Sequence, residues 1–368
     1  MSTYKKIRGT TVQNNAGNLP SAVDGQLWYD STNAVFKHQY PNVTAAGVWS
    51  TSVDLNAAKM YHDAVGTTSS SIVFGGSPQA PATPQIADTE QWNGSSWTEV
   101  NNLNTARNVL ASAGDATAGL AFGGNPPTGV TESWNGTSWT ETGDLNTSRQ
   151  IGFGGAGTNT AALAFGGESP TVVNTAITES FNGTTWTEVN DLNTGRRGIS
   201  GFGATNTASI AAGGKATVEY ANTESWNGTS WTEVNDLNTG REALSGAGVK
   251  SSALAITGGN PGPTAVVESW NGTSWTEVTD VNSARSFSGG DGADNTSAII
   301  FGGSPYASIT EIWNGTSWTE EADMSVGRQQ LAGAGTVNSA LAFGGEAPPN
   351  TAATEEWQSP VPTTVTLG

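Results

Sequence analysis

The 368 residues include no cysteine and only two histidines, His38 and His62. Disulfide staples, thiolate metal sites and cysteine nucleophiles are therefore excluded, and the redox compartment stays open. Charged residues make up 12% of the chain, about half the usual share, so charge repulsion gives no reason for disorder. Cations are the scarcer sign, 14 Lys and Arg against 32 Asp and Glu, for a formal charge of −18. A phosphate backbone or an anionic bilayer is held by clustered cations, so neither nucleic acid nor a membrane is an expected partner. No apolar run approaches a membrane span, which predicts no membrane insertion. The opening Met-Ser-Thr-Tyr-Lys-Lys-Ile-Arg has charge with no apolar segment behind it, so classical secretion is not expected either.

What the chain has in plenty is glycine, 48 residues, and tryptophan, 14 residues. A few large rings among many small side chains imply a core in which each buried Trp contributes about 3 kcal/mol before entropy is counted. Length alone permits two domains or one repeat array.

Repeats decide for the array. The segment Thr-Glu-Ser-Trp-Asn-Gly-Thr-Ser-Trp-Thr-Glu recurs, with its first aromatic at Trp92, Trp134, Phe181, Trp226, Trp270, Trp313 and Trp357. Its second Trp stands at Trp97, Trp139, Trp186, Trp231, Trp275 and Trp318, and Trp49, far upstream, supplies the missing seventh. A glycine pair ends an apolar run in every unit: Gly75-Gly76, Gly123-Gly124, Gly166-Gly167, Gly213-Gly214, Gly258-Gly259, Gly302-Gly303 and Gly344-Gly345. Spacings of about 42 to 48 residues suit four-stranded propeller blades.

Within one unit, 149–156 reads as a strand of small residues and 161–165 as an apolar strand; 176–181 and 185–189 read as a hairpin. Small residues belong where seven inner strands crowd an axis. Asn-Gly between short strands predicts a two-residue type I′ turn, with Trp134 facing Thr137 and both Trp residues on one face. The same triplets match glycosylation sequons at Asn135, Asn182, Asn227, Asn271 and Asn314, but only the turn accounts for the glycine. The expected fold is all-β: a seven-bladed propeller over residues 46–358, closed by pairing the strand around Trp357 with that around Trp49. Residues 1–45 are expected to form a short N-terminal β-hairpin arm, and 359–368 a C-terminal tail.

The glycine doublet, the Glu with its spaced aromatic pair and the Leu-Asn-Thr-Gly-Arg link together resemble the kelch repeat, with a tighter aromatic spacing than is usual there. That resemblance implies a kelch-type propeller. A galactose oxidase-like kelch enzyme would bring a copper site with a cysteine-modified tyrosine and histidines, which a chain without Cys does not supply. The segment Ser133-Trp134-Asn135-Gly136-Thr137-Ser138-Trp139 is a distorted echo of the sialidase Asp-box. A kelch-type sialic-acid mutarotase, whose chemistry uses no metal, is the hardest enzyme alternative to exclude. Gly-Gln-Leu-Trp-Tyr-Asp-Ser-Thr-Asn-Ala-Val-Phe-Lys at 25–37 is similar to short N-terminal segments of phage tail and virion proteins.

Glu90, Glu132, Glu179, Glu224, Glu268, Glu311 and Glu355 recur in every unit, whereas a glycosidase needs two carboxylates placed once, so a structural role is expected for them. One basic residue stands at the start of each inner strand: Lys59, Arg107, Arg149, Arg196, Arg241, Arg285 and Arg328. Two compatible readings follow. Each cation caps its blade through neighbouring carbonyls or the repeat Glu, or the ring binds an anionic glycan or acidic peptide on the face of the variable loops. The function expected from these features is a non-enzymatic phage virion protein, a tail or fibre component located in the virion. It would be held to other virion proteins by residues 1–45 and would use no cofactor and no metal. A free carbohydrate-binding lectin and a sialic-acid-acting enzyme are the alternatives.

Overall fold

The computed structural model describes residues 12–17, 19, 26–39, 47–78, 84–150, 152, 154–348, 350–359 and 364–367, and those residues form strands and turns without a helix. The chain divides into two compact units, Val48–Gln358 and the segments on either side of it.

The larger unit contains seven four-stranded antiparallel sheets, which follow one another as the blades of a β-propeller. Blade 2 is typical, running from the innermost strand Ala111–Asp115 through Ala118–Phe122 and Thr131–Trp134 to the outermost, Trp139–Glu141. Inner strands read Ala-Ser-Ala-Gly-Asp or Ala-Gly-Ala-Gly-Thr because successive blades touch there and leave no room for large side chains. In blade 7, Ala332–Thr336, Ser339–Phe343 and Thr354–Gln358 are joined by Val48–Thr51, with Trp49 opposite Trp357.

The core lies between blades. In every blade but the fourth, whose second strand ends in Ala212, the second strand ends in a large apolar residue; Phe74 lies 4.8 Å from Trp139 and Phe165 4.9 Å from Trp231 of the next blade, edge to face. The same contact joins blade 7 to blade 1, where Phe343 and Trp97 stand 4.9 Å apart. Each outer indole N–H also donates across the interface to the Thr that opens the preceding blade's third strand. The pairs are Trp139 to Thr89 (3.0 Å), Trp186 to Thr131 (2.9 Å), Trp231 to Thr178 (2.9 Å), Trp275 to Thr223 (3.0 Å), Trp49 to Thr310 (2.7 Å) and Trp97 to Thr354 (2.9 Å). Blade 5 has Val267 at that position, and the buried Nε1 of Trp318 is left without a partner.

Three local expectations are corrected. Trp134 faces Trp139, not Thr137, because residues 135–138 form a four-residue loop in which Asn135 Oδ1 accepts the backbone N–H groups of Thr137 (3.0 Å) and Ser138 (2.9 Å). Gly136 has φ +88° while Asn135 stays out of the left-handed region, so no type I′ turn forms. The basic residues precede the inner strands rather than opening them, Arg107 lying before a strand that starts at Ala111. In blade 5 the apparent glycine pair is one residue out of step. Thr257 occupies the first glycine position at φ +59°, with its buried hydroxyl unpaired, and Gly258 takes the second.

The terminal segments depart from the expected hairpin arm and separate tail. Leu27–Asp30 and Val35–Gln39 do pair around a turn at Ser31–Ala34, but Gln13–Asn15 adds in parallel on one side and Thr364–Leu367 antiparallel on the other, giving one four-stranded sheet from both ends of the chain. Its organising group is the buried Asp30 carboxylate, held well below the usual range by Lys37 at 2.8 Å and by Asn33. Residues 1–11, 18, 20–25, 40–45, 360–363 and 368 lie outside the described residues.

Blade 5 can be repaired at both of its defects. Thr257→Gly relieves a left-handed Thr and removes an unpaired hydroxyl, and is expected to stabilise by about 1–3 kcal/mol. Val267→Thr gives Trp318 its acceptor, worth about 1 kcal/mol. Urea melts should show both gains, and Thr223→Val, which copies the defect at Trp275, should show a loss. A stabilised Thr223→Val protein would refute the indole–hydroxyl contact as a source of stability.

Candidate functional site

The seven predicted cations come together as a ring, but not as a binding surface. Each is buried, with relative exposure of 0% for Lys59, Arg107, Arg149, Arg196, Arg241, Arg285 and Arg328. Each pairs with the repeat Glu of its own blade. Lys59–Glu90 stands at 2.8 Å, Arg107–Glu132 at 2.6 Å, Arg196–Glu224 at 2.5 Å, Arg241–Glu268 at 2.7 Å, Arg285–Glu311 at 2.9 Å and Arg328–Glu355 at 3.1 Å, and Arg149 pairs with Glu179. The other carboxylate oxygen takes the N–H of the residue that opens the link, such as Asn104 N to Glu132 at 2.6 Å. Burial pulls the Arg328 guanidinium down to about 10 and the charge of Glu355 opposes the shift, so the group stays cationic at neutral pH. The anion-binding reading of this ring is thus corrected: a ligand would have to displace a buried carboxylate to reach any of the seven. The capping role is the one observed, Arg107 also donating to the carbonyls of Thr105 and Ala121.

Just past each cation the chain turns into the left-handed region. Tyr61 (φ +53°), Val109 (+50°), Gly152 (+58°), Gly198 (+65°), Ala243 (+53°), Phe287 (+53°) and Gln330 (+53°) are the equivalent residues of the seven blades. A non-glycine side chain pays about 1–3 kcal/mol there, and such strain gathers at sites where a side chain must be aimed. All seven line one central cavity of about 590 Å³. Backbone bonds run from blade to blade along this rim, Val109 N to Tyr61 O at 2.9 Å and Gln330 N to Phe287 O at 3.0 Å. The residues before the rim bridge to the start of the variable loops, Met60 to Ser77 and Gln329 to Glu346, so the cavity opens on the face expected for recognition. Of those loops, Gln79, Ala80, Pro81 and Pro349 lie outside the described residues.

The rim is uneven. Blades 3 to 5 carry Gly152, Gly198 and Ala243, while blades 6, 7 and 1 carry Phe287, Gln330 and Tyr61. Gln330 Nε2 donates to the Tyr61 hydroxyl oxygen at 2.8 Å, which leaves the phenol proton free for another acceptor.

Blade 1 departs from the repeat with two adjacent titratable groups. Where blades 2, 5 and 7 place Leu110, Leu244 and Leu331, blade 1 has His62; where blades 2 and 7 place Ala111 and Ala332, it has Asp63. Both line the cavity beside Tyr61. Desolvation raises the half-buried Asp63 carboxyl to about 6, against bonds from Ser112 and from its neighbour Ala64 N at 2.8 Å. His62 lies 6.0 Å from the Phe343 ring, and burial with the nearby Lys59 charge lowers its pKa to about 3, so its imidazole is neutral. Sequence reasoning missed these residues because it attended to what recurs; aligning the seven units and asking which one departs would have found them.

No family model and no curated protein matches the chain. Among solved structures it is similar to a fungal alcohol oxidase of the AA5 family in complex with copper, at 15% identity and a TM-score of 0.64, over 86% of this chain and 77% of that one. At that identity the likeness shows the fold alone. The expectation of a non-enzymatic phage virion protein is corrected on this finding: the solved structure it is similar to is that of an enzyme, and nothing found points to a virion. In the sequence, catalysis was weighed on the repeated glutamates, which brace the blades, and not on the residues that stand once. The copper of the similar enzyme does not carry over, because this chain has no Cys, its only other histidine is His38 in the terminal sheet, and no group of three metal-ligating side chains occurs among the described residues.

Two measurements check this assignment. The first is the pH dependence of stability. Native Asp63 takes its proton near 6 and unfolded Asp near 3.8, so its contribution is full below 3.8 and lost as pH rises through 6. Asp63→Asn is expected to stabilise by up to about 3 kcal/mol above pH 6 and not at all below pH 4. His62 has the opposite sign: its depressed pKa gives stability that is full above 6.5 and lost as pH falls toward 3, a loss that His62→Leu removes. Urea melts at pH 4 and 7.5 read both; equal shifts at the two pH values would contradict the assignment. In the second, Arg241→Met alone should cost about 3–5 kcal/mol by stranding Glu268, and Arg241→Met with Glu268→Leu should recover most of it.

Proposed function

We propose that the chain is a kelch-type propeller, closed through Val48–Thr51, whose central cavity is a small-molecule site for metal-independent proton transfer. The observation that carries this reading is the run of Tyr61, His62 and Asp63, one after another in blade 1, at the rim of a cavity shared by all seven blades. Two groups there have complementary proton chemistry. Asp63, with its carboxyl raised to about 6, is ionised at neutral pH yet basic enough to accept a proton. Tyr61, its oxygen already accepting from Gln330, has a proton to give.

On a carbonyl substrate the pair enolises without redox change. Asp63 takes the proton from the carbon next to the carbonyl, the C–H electrons form the carbon–carbon double bond, and the displaced carbonyl electrons take the Tyr61 proton. Reversal at the same carbon returns the substrate; where that carbon bears a hydroxyl, which gives up its proton as the new carbon–oxygen double bond forms, protonation of the neighbouring carbon gives the isomer. Neutral His62 adds no positive charge that would pull the Asp63 carboxyl back down. The braced ring behind the rim keeps these groups in place, as acid–base catalysis within hydrogen-bond reach requires.

The test is deuterium exchange. The protein, with a chelator present, is incubated in deuterium oxide with a panel of small aldehydes, ketones and hydroxy-carbonyl compounds, and loss of the α-proton signal is followed by NMR. Exchange above the buffer rate is expected for part of the panel, with an acid limb near pH 6 and a loss of about 100-fold or more in Asp63→Asn. A buffer-level rate throughout, or full exchange in Asp63→Asn, would refute the proposal.

A further inference from the structure

We infer that the cavity selects a small organic cation, so that the substrate of the proposed proton transfer bears an ammonium group. This deepens the preceding reading and rests on it for the identity of the site, but it is carried by a different set of observations.

The first is the distribution of charge along the inner strands. They contain Asp63, Asp115, Asp291 and Asp294, and no Lys, Arg or His. The second is that the cations nearest the mouth are already neutralised. The buried ring is paired blade by blade, Arg197 at the cavity wall is held by Glu168, and Lys215 is held by Glu219 at 2.9 Å and Glu242 at 3.2 Å. Among the described residues no ion pair is made by Asp63, so its carboxylate faces the cavity without a counter-charge. A protein of formal charge −18 adds a field of the same sign and draws cations toward the opening.

The third is the aromatic side of the rim. Phe287 is held in the left-handed region with 47% of its surface exposed, an arrangement that costs both strain and apolar exposure. Gln330 joins it to Tyr61, its N–H on Phe287 O and its amide on the Tyr61 hydroxyl. Two aromatic side chains lining the same cavity as a carboxylate that makes no ion pair suit an alkylammonium, which is attracted to aromatic rings by their quadrupoles and to the carboxylate by charge. A neutral molecule of the same shape gains only the apolar contact, and an anion is repelled.

Choline and its uncharged isostere 3,3-dimethylbutan-1-ol form a matched pair of probes, titrated into the full chain by calorimetry at pH 7.5. Choline is expected to bind at least tenfold more tightly than the alcohol. Phe287→Ala, which removes the exposed ring and leaves the buried core untouched, should weaken choline at least threefold, and Asp63→Asn should bring it to the level of the alcohol. Equal binding of the two probes, or no binding of either, overturns the charge selection. If the alcohol binds as well as choline while deuterium exchange persists, the proton-transfer site stands and only its cation preference falls. If choline binds as expected but no exchange occurs on any carbonyl compound, the preference stands and the chemistry falls.

Discussion

The structure depends on one junction repeated in every blade. A buried cation closes on the Glu of its own blade through its side chain, while its backbone carbonyl accepts the N–H of a glycine in the blade before it. Arg107 pairs with Glu132 and receives Gly76 N at 2.9 Å, and Lys59 pairs with Glu90 and receives Gly345 N at 2.8 Å. The residue before the donor is also glycine in six of the seven blades, because a Cβ at Gly75 would lie 2.5 Å from Arg107 O, and one at Gly344 would lie 2.9 Å from Lys59 O. Buried charge pairs of this kind add little net stability over an apolar substitute, but breaking one strands the other. What they provide is position: two residues further on, or three in blade 3, stands the rim residue, and the cavity is where those seven positions converge.

This arrangement separates two jobs along the sequence. Residues that recur, the Glu, the cation, the Trp pair and the Thr that accepts the indole, fix the blades and their contacts. Residues that differ at the rim, from Gly198 to Phe287, shape the cavity without touching the brace, so the mouth can change while the scaffold stays the same. Blade 5 shows that the scaffold absorbs error, since it tolerates both Thr257 in a glycine position and an unpaired Trp318.

The strands and their order were legible because the repeat carries both hydrophobic pattern and turn residues, and Trp49 announced its partner by being the one outer Trp out of place. The Asn-Gly loop was misread because the dipeptide rule ignores the Asx bond from Asn135 to Thr137 and Ser138, which lengthens the loop to four residues and sets Trp opposite Trp. The cation ring was found, but burial is not written in a composition, and a row of arginines reads the same whether it faces solvent or glutamate. Tyr61, His62 and Asp63 carried a signal that a search for recurring features discards. Of the sheet formed from both ends of the chain the central hairpin was legible, but the addition of Thr364–Leu367 had no signal, because that strand is too short to show a pattern.

The division between brace and mouth is tested most directly by giving blade 1 the rim of blade 2, replacing Tyr61, His62 and Asp63 together with Val, Leu and Ala as at Val109, Leu110 and Ala111. Thermal unfolding is then followed with and without choline. The replaced residues have no part in the buried ring, so the midpoint without ligand should be unchanged or higher, and the ligand-induced rise seen in the parent chain should vanish. A lower midpoint would show blade 1 to be held by these residues, and a preserved ligand-induced rise would show the site to lie elsewhere; either result would contradict the division.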